Sequence, residues 1–152
     1  MTETSDDSHL RLSSMVCFAI YSTANALTRA YQPILSKLDL TYPQFLVMLV
    51  LWEKDDQTVS EIGGKLGLDS GTLTPLLKRL ETAGRIRRQR DTRDERQVRI
   101  TLTDEGRSLR KAAEDVPNAI FCALGQPVDE LMDIRTRLLD IRQNLTGNVS
   151  AK

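Results

Sequence analysis

At 152 residues the chain is long enough to bury one ordinary core and too short for several domains. Its 21 basic and 21 acidic side chains cancel, no apolar run approaches membrane-spanning length, and the polar, acidic start MTETSDDSHL excludes a secretory signal, so a cytoplasmic protein without a membrane partner is expected. One histidine and two cysteines are too few for a zinc site, and no metal or other cofactor is expected.

Residues 1–8 read as a disordered tail, and 9–57 as N-terminal helices serving dimerisation and the core. A long helix is predicted from His9 to about Ala30. One stripe on it is Leu12, Met15, Val16, Ala19, Thr23, Ala26, Leu27 and Ala30, and a second holds Leu10, Cys17, Ile20, Tyr21 and Ala24. Two apolar faces need two neighbours, the core on one side and a partner on the other. Tyr31-Gln32-Pro33 breaks the period, and Ile34 to Leu38 makes a short second helix. Thr41 is a good N-cap with Pro43 in the first turn behind it. Phe45 to Trp52 is almost wholly apolar and belongs at the centre of the core, and residues 53–57 form a polar loop.

Residues 58–102 carry the clearest pattern. Val59, Ile62 and Leu66 recur at helical spacing, Gly67-Leu68-Asp69-Ser70 makes a turn in which Asp69 or Ser70 can cap, and Leu73, Leu76, Leu77 and Leu80 stripe a second helix that Gly84 stops. Two short helices about a tight turn form a helix-turn-helix. The other face of the second helix presents Ser70, Thr72, Thr74, Lys78 and Arg79, side chains of the kind that reach base edges and phosphates. After Gly84 the period becomes alternating. Residues 85–90 and 97–102 read as strands joined by the charged tip Asp91–Arg96, a basic wing that includes Arg88 and Arg90.

The remainder is helical. Thr103-Asp104-Glu105 opens a helix kinked by Pro117 and ended at Gly125-Gln126-Pro127. The last helix shows Leu131, Ile134, Leu138, Ile141 and Leu145, alternating steps of three and four that mark a helix-pairing seam. Residues 103–146 are therefore expected to be C-terminal dimerisation helices, with 147–152 a tail. The expected fold is mainly α with a small β-wing, a winged helix-turn-helix flanked by terminal dimerisation helices within one integrated domain over 9–146. Two such arms would hold a homodimer that offers two recognition helices to a pseudo-palindromic DNA operator.

Zero net charge does not argue against DNA. Residues 1–77 carry a balance of −4 and residues 100–152 a balance of −1, whereas residues 78–99 carry +5. Phosphate affinity follows such local patches. The two cysteines, Cys17 and Cys122, would by default be small buried hydrophobes.

The chain resembles the MarR family of dimeric winged-helix regulators, and within it the organic-hydroperoxide sensors (the OhrR branch). The resemblance runs from about Leu10 to Leu145. It is carried by Cys17-Phe18-Ala19-Ile20-Tyr21, Leu40-Thr41-Tyr42-Pro43-Gln44, the stretch from Leu68 to Arg79, and Asp94-Glu95-Arg96 in the wing. It implies that Cys17 is the peroxide-sensing cysteine and that Tyr31 and Tyr42 bond its sulfur from the partner subunit. It also implies that Arg96 enters the minor groove with Asp94 positioning it. Cys122 matches the second cysteine of a two-cysteine subgroup, which resolves the oxidised sensor as an intersubunit disulfide. Organic hydroperoxides would then be reactive inducers of a repressor, with Met15, Phe18 and Ile20 a plausible pocket lining.

Two rivals remain at the level of sequence. In one, a MarR-type repressor is released by a small phenolic or other ligand and the cysteines are incidental. In the other, Cys17 turns over as a thiol peroxidase, but it lacks the Pro-x-x-x-Thr-x-x-Cys setting of peroxiredoxins, and a helix-turn-helix has no use there. An enzyme is not expected.

Overall fold

Capping side chains decide where the central helices begin. The computed structural model describes residues 7–147; of the tails expected at 1–8 and 147–152, residues 1–6 and 148–152 lie outside the described residues, while 7–8 fall in a 3-10 turn and 147 in the last helix. The chain divides into two compact units, Met1–Glu114 and Asp115–Lys152.

In the first unit, 3-10 turns at Asp7–Leu10 and Leu12–Ser14 precede α1 (Val16–Leu35). The single helix expected from His9 is thus replaced by short turns before Val16. At the other end α1 runs straight through Tyr31-Gln32-Pro33, where a break was expected. Proline costs a helix one N–H bond to the carbonyl four residues back. Here that loss falls in the last turn, where Leu35 is fully buried and the Ser36 N–H closes on the Gln32 carbonyl. The predicted short second helix shrinks to a 3-10 turn at Ser36–Leu38.

Thr41 caps α2 (Tyr42–Glu53) through a full capping box with Gln44. This helix is the core, burying Phe45, Val47, Met48, Val50 and Leu51. Gln57, itself 1% exposed, donates to the Val50 carbonyl at 3.1 Å, which also accepts the Lys54 N–H, and to the carbonyl of Lys54, so its buried amide is satisfied at the end of α2.

A third strand joins the predicted hairpin. β1 (Gln57–Thr58) pairs antiparallel with β3 (Val98–Leu102), which pairs on its other edge with β2 (Ile86–Arg90), in the order β1-β3-β2. Two residues carry no readable alternation, so the sequence showed only a polar loop there. Between β1 and β2 lie α3 (Val59–Leu66) and α4 (Ser70–Thr82). A capping box of Thr58 with Glu61 starts α3, and Gly67 ends it at φ 66°. Asp69 is the residue that caps α4, accepting the Thr72 N–H at 2.7 Å. Ile62 and the stripe Leu73, Leu76, Leu77 and Leu80 are buried. Thr103 caps α5 (Asp104–Ala112).

The second unit holds α6 (Val116–Leu124) and α7 (Val128–Gly147). The predicted kink at Pro117 is a full break: α5 stops at Ala112, and the proline sits in the first turn of α6, where its missing N–H costs nothing. Val116 and Ile120 are buried, but no residue of α7 is. Ile134, Leu138, Ile141 and Leu145 of the predicted seam are all exposed, and so are Val16, Phe18, Ile20 and Tyr21 of α1. Among the described residues no single helix is long and apolar enough to cross a membrane.

Candidate nucleic-acid interface and redox site

The face of α4 turned away from the core is short, polar and basic. Ser70, Thr72, Lys78 and Arg79 are exposed and Thr74 is half-buried, so the structure brings the five predicted contact residues onto one accessible helix. Its approach to α3 is close. A methyl group on Gly63 would lie 2.7 Å from the Leu68 carbonyl, so only glycine lets the turn fold back against α3.

The wing arginines divide into two groups. Arg90 is exposed and Arg96 is 93% exposed at its side chain. Arg88 turns inward instead. It shares the pleat face of buried Ile86, its backbone N–H donates to Glu81 of α4 at 2.8 Å, and its guanidinium lies 3.9 Å from the same carboxylate. That ties the wing stem to the recognition helix and leaves Arg88 less free for a phosphate than sequence alone implied. Asp94 bonds both the backbone N–H of Arg96, at 3.1 Å, and its Nε, at 3.3 Å.

Sequence reasoning missed a set of charges at the base of the wing. Arg99, in the central strand, donates from Nε to Asp56 Oδ1 at 2.7 Å, from Nη2 to the Asp56 carbonyl at 2.8 Å, and from Nη1 to Asp91 Oδ2 at 3.1 Å. Asp91 accepts the N–H groups of Arg93 at 2.7 Å and Asp94 at 3.4 Å through its other oxygen. The Arg93 N–H first, and then Arg99, hold the Asp91 carboxyl below the usual carboxylate range. Next to it, Asp55 accepts the Leu102 N–H at 2.9 Å and Arg107 Nη2 at 3.0 Å. The one available signal was the spacing Asp91-x-x-Asp94, which suits a side chain folding back on the following N–H groups.

The thiols are not the buried hydrophobes that their residue type favours. Cys17 and Cys122 are both free and exposed, Cys17 as the second residue of α1 and Cys122 on α6 in the second unit. Met15, Phe18 and Ile20, at 40%, 41% and 37% exposed, do not close a pocket around Cys17 within the protomer. Tyr31 and Tyr42 do come together, their rings stacked with centroids 4.1 Å apart. Burial pushes the Tyr31 phenol up to about 12, with Tyr42 adding to the effect, and burial also raises Tyr42. Both phenols therefore stay protonated and able to donate at any physiological pH. Cys17 and Tyr31 lie on one helix fourteen residues apart, about 21 Å along its axis at 1.5 Å per residue. Within a protomer the tyrosines are out of reach of that sulfur. A separate cleft of about 590 Å³, mainly apolar, is lined by Thr28, Arg29, Gln32, Ser36, Tyr42 and Ala83 among others.

Comparison with known proteins agrees with this architecture. Residues 29–113 match the family described as transcriptional regulator SarA/Rot. The chain is 48% identical to the HTH-type transcriptional regulator TtmR of Methylorubrum extorquens, over 95% of this chain and 74% of that protein. It is 42% identical to the organic hydroperoxide resistance transcriptional regulator of Bacillus subtilis, over 90% of this chain and 93% of that one. Among solved structures it is similar to the reduced, DNA-bound AbfR, a protein of Staphylococcus epidermidis, with a TM-score of 0.80 and 37% identity over 93% of this chain and 97% of that one. Against disulfide-formed AbfR the TM-score is 0.62, with 40% identity over 88% and 96%. These relatives are transcriptional regulators, so the chain is a regulator and not an enzyme. A family match over more than half the chain, with close relatives spanning nearly all of it, makes this protein a member of the MarR family of winged-helix transcriptional regulators, of the SarA/Rot type.

Proposed function

We propose that the protein is a homodimeric repressor that senses organic hydroperoxides. The reduced dimer binds a pseudo-palindromic operator with α4 in successive major grooves and Arg96 in the minor groove. Ser70, Thr72, Thr74, Lys78, Arg79 and Arg90 supply base and phosphate contacts, with Asp94 orienting Arg96 and Arg88 bracing the wing.

The observation that carries the sensing role is the setting of Cys17. It is a free, exposed thiol in the first turn of α1, near Met15, Phe18 and Ile20 in sequence, and all three of these are exposed as well. The first turn of a helix favours a negative charge. The Cys17 thiolate attacks the distal oxygen of ROOH, the O–O bond breaks, and Cys17–SOH and an alkoxide result; the alkoxide takes a proton from water. The Cys122 thiol of the partner subunit then displaces hydroxide from the sulfenic acid, giving a disulfide and water. Tyr31 and Tyr42, too distant from their own Cys17, donate to the sulfur across the dimer. The disulfide alters the spacing of the two winged helices, and the operator is released.

Operator binding followed by fluorescence anisotropy tests this. Cumene hydroperoxide releases the wild type, and Cys17→Ser holds the operator at every dose. Cys122→Ser still responds but passes on to sulfinic acid, which a thiol reductant does not reverse. Wild type that stays bound after treatment sinks the proposal. The apolar cleft beside Tyr42 keeps one rival in play, release by a small phenolic ligand. DNA release by such a ligand in a Cys17→Ser/Cys122→Ser double variant would establish it.

A further inference from the structure

We infer that Arg99 and Asp91 are positioning residues that set the wing tip, so that Arg96 is presented to DNA already oriented. This rests on the proposal that Arg96 meets DNA. A continuous line of bonds joins the protein body to that arginine. The loop between α2 and β1 contributes Asp56, whose carboxylate and carbonyl both accept from Arg99, and the third Arg99 nitrogen in use reaches Asp91. Asp91 is the first residue beyond β2, and its second oxygen gathers the N–H groups of Arg93 and Asp94. Asp94 then holds the backbone and Nε of Arg96. The Asp91 N–H closes on the Gln97 carbonyl at 2.8 Å, which fixes the other side of the tip.

The two ends of this line differ in shelter. Arg99 and Asp91 expose 35% and 10% of their side chains, whereas Arg96 and Asp94 expose 93% and 38%. Solvent and salt screen the outer pair far more than the inner one. Asp94 alone is therefore a weak hold on Arg96, and the firm part of the linkage is the Arg99 fork. A guanidinium spans two acceptors on separate segments because its donors are fixed in a plane; a lysine ammonium is a single point and cannot. Without the fork the tip must be ordered at the moment of binding, which weakens specific binding on the order of tenfold. Three of the five Arg99 N–H donors are held inside the protein, and the effect works through them without a phosphate contact.

The test is a double-mutant cycle on operator and random-sequence duplexes across a salt series, using full-length Arg96→Ala, Arg99→Lys and the pair. Arg96→Ala weakens operator binding. Arg99→Lys, which keeps the charge, weakens it about tenfold, leaves random-sequence binding and the salt slope unchanged, and adds nothing once Arg96 is gone. If Arg99→Lys matches wild type, or if its effect adds in full to that of Arg96→Ala, the positioning role is overturned while the wing contact stands. If Arg96→Ala binds as wild type does, the wing contact falls and the inference with it. Thermal melting checks the fold. Should Arg99→Lys fail to melt cooperatively, Asp91→Asn takes its place in the same cycle, because it keeps the acceptors for the N–H groups and loses the charge pair.

Discussion

The region from Thr41 to Thr103 and the terminal helices solve opposite problems. Thr41, Thr58, Asp69 and Thr103 each cap a helix through the side chain, and the stripes of α2 and α4 are buried within the protomer. At the ends, Met15 before α1 and Asp115 before α6 make no side-chain cap bond, the start of α1 is exposed, and α7 buries nothing. The middle of the chain is complete in one copy. The arms leave apolar side chains exposed, and patches of that kind mark interfaces. A regulator divided in this way can keep its DNA-reading module rigid while a change confined to the arms alters how two modules are spaced.

The sharpest way to break this contrast is to charge the seam. Ile134→Asp with Ile141→Asp puts two carboxylates on exposed positions of α7, where they cost the protomer little. If α7 is a dimer arm, the variant sediments as a monomer. Tethering two modules raises affinity by about 10² to 10⁴ over one, so operator binding falls by that order while the far-ultraviolet circular dichroism is kept. A variant that remains dimeric and binds normally removes α7 from the interface.

A substitution in the complete region acts on stability instead. Gly106 lies under the sheet, and a methyl group there would sit 2.1 Å from the Arg85 carbonyl. That carbonyl also accepts from Thr103, while the Gly106 carbonyl accepts from the Trp52 indole at 2.9 Å, so neither side can move freely. Gly106→Ala should cost about 3 kcal/mol, the upper part of the range for overpacking. The melting temperature would fall by about 10 °C for a chain of this size. A loss under about 2 °C would show that α5 slides to make room.

How much was legible follows the same division. The leucine stripe of α4, the cap at Thr41 and the alternation of the wing are local patterns, and each appears where the sequence placed it. β1 was not legible, because two residues acquire strand character only by pairing with Ile100 and Arg99. Nor was the passage of α1 through Pro33, which the burial of Leu35 decides. At the site, the motif residues on α4 and the wing tip could be named in advance. The inward turn of Arg88 and the Arg99 fork could not, since both depend on carboxylates, Glu81 and Asp56, that reach them only through the tertiary fold.

The smallest effect concerns the caps themselves. In the box that starts α3, the Thr58 hydroxyl accepts the Glu61 N–H at 3.1 Å, and Glu61 returns a bond to the Thr58 N–H at 2.8 Å. That N–H first, with the Thr58 hydroxyl, holds the Glu61 carboxyl below its ordinary range. A depressed carboxylate contributes stability above its unfolded-state pKa, and that contribution is lost as pH falls through the folded value. Thr58→Ala should cost about 1 kcal/mol, or roughly 2–4 °C in melting temperature. Glu61→Gln keeps a neutral acceptor, so it should lose less at neutral pH and flatten the acid limb of the stability profile. The contrast between the two regions predicts the converse at Met15, which has no cap bond to lose. Met15→Ala should leave the protomer's melting temperature within about 2 °C, because surface substitutions away from a cap or core are usually within ±0.5 kcal/mol. If Met15→Ala proved as costly as Thr58→Ala, the start of α1 would be held by contacts that a single copy does not contain.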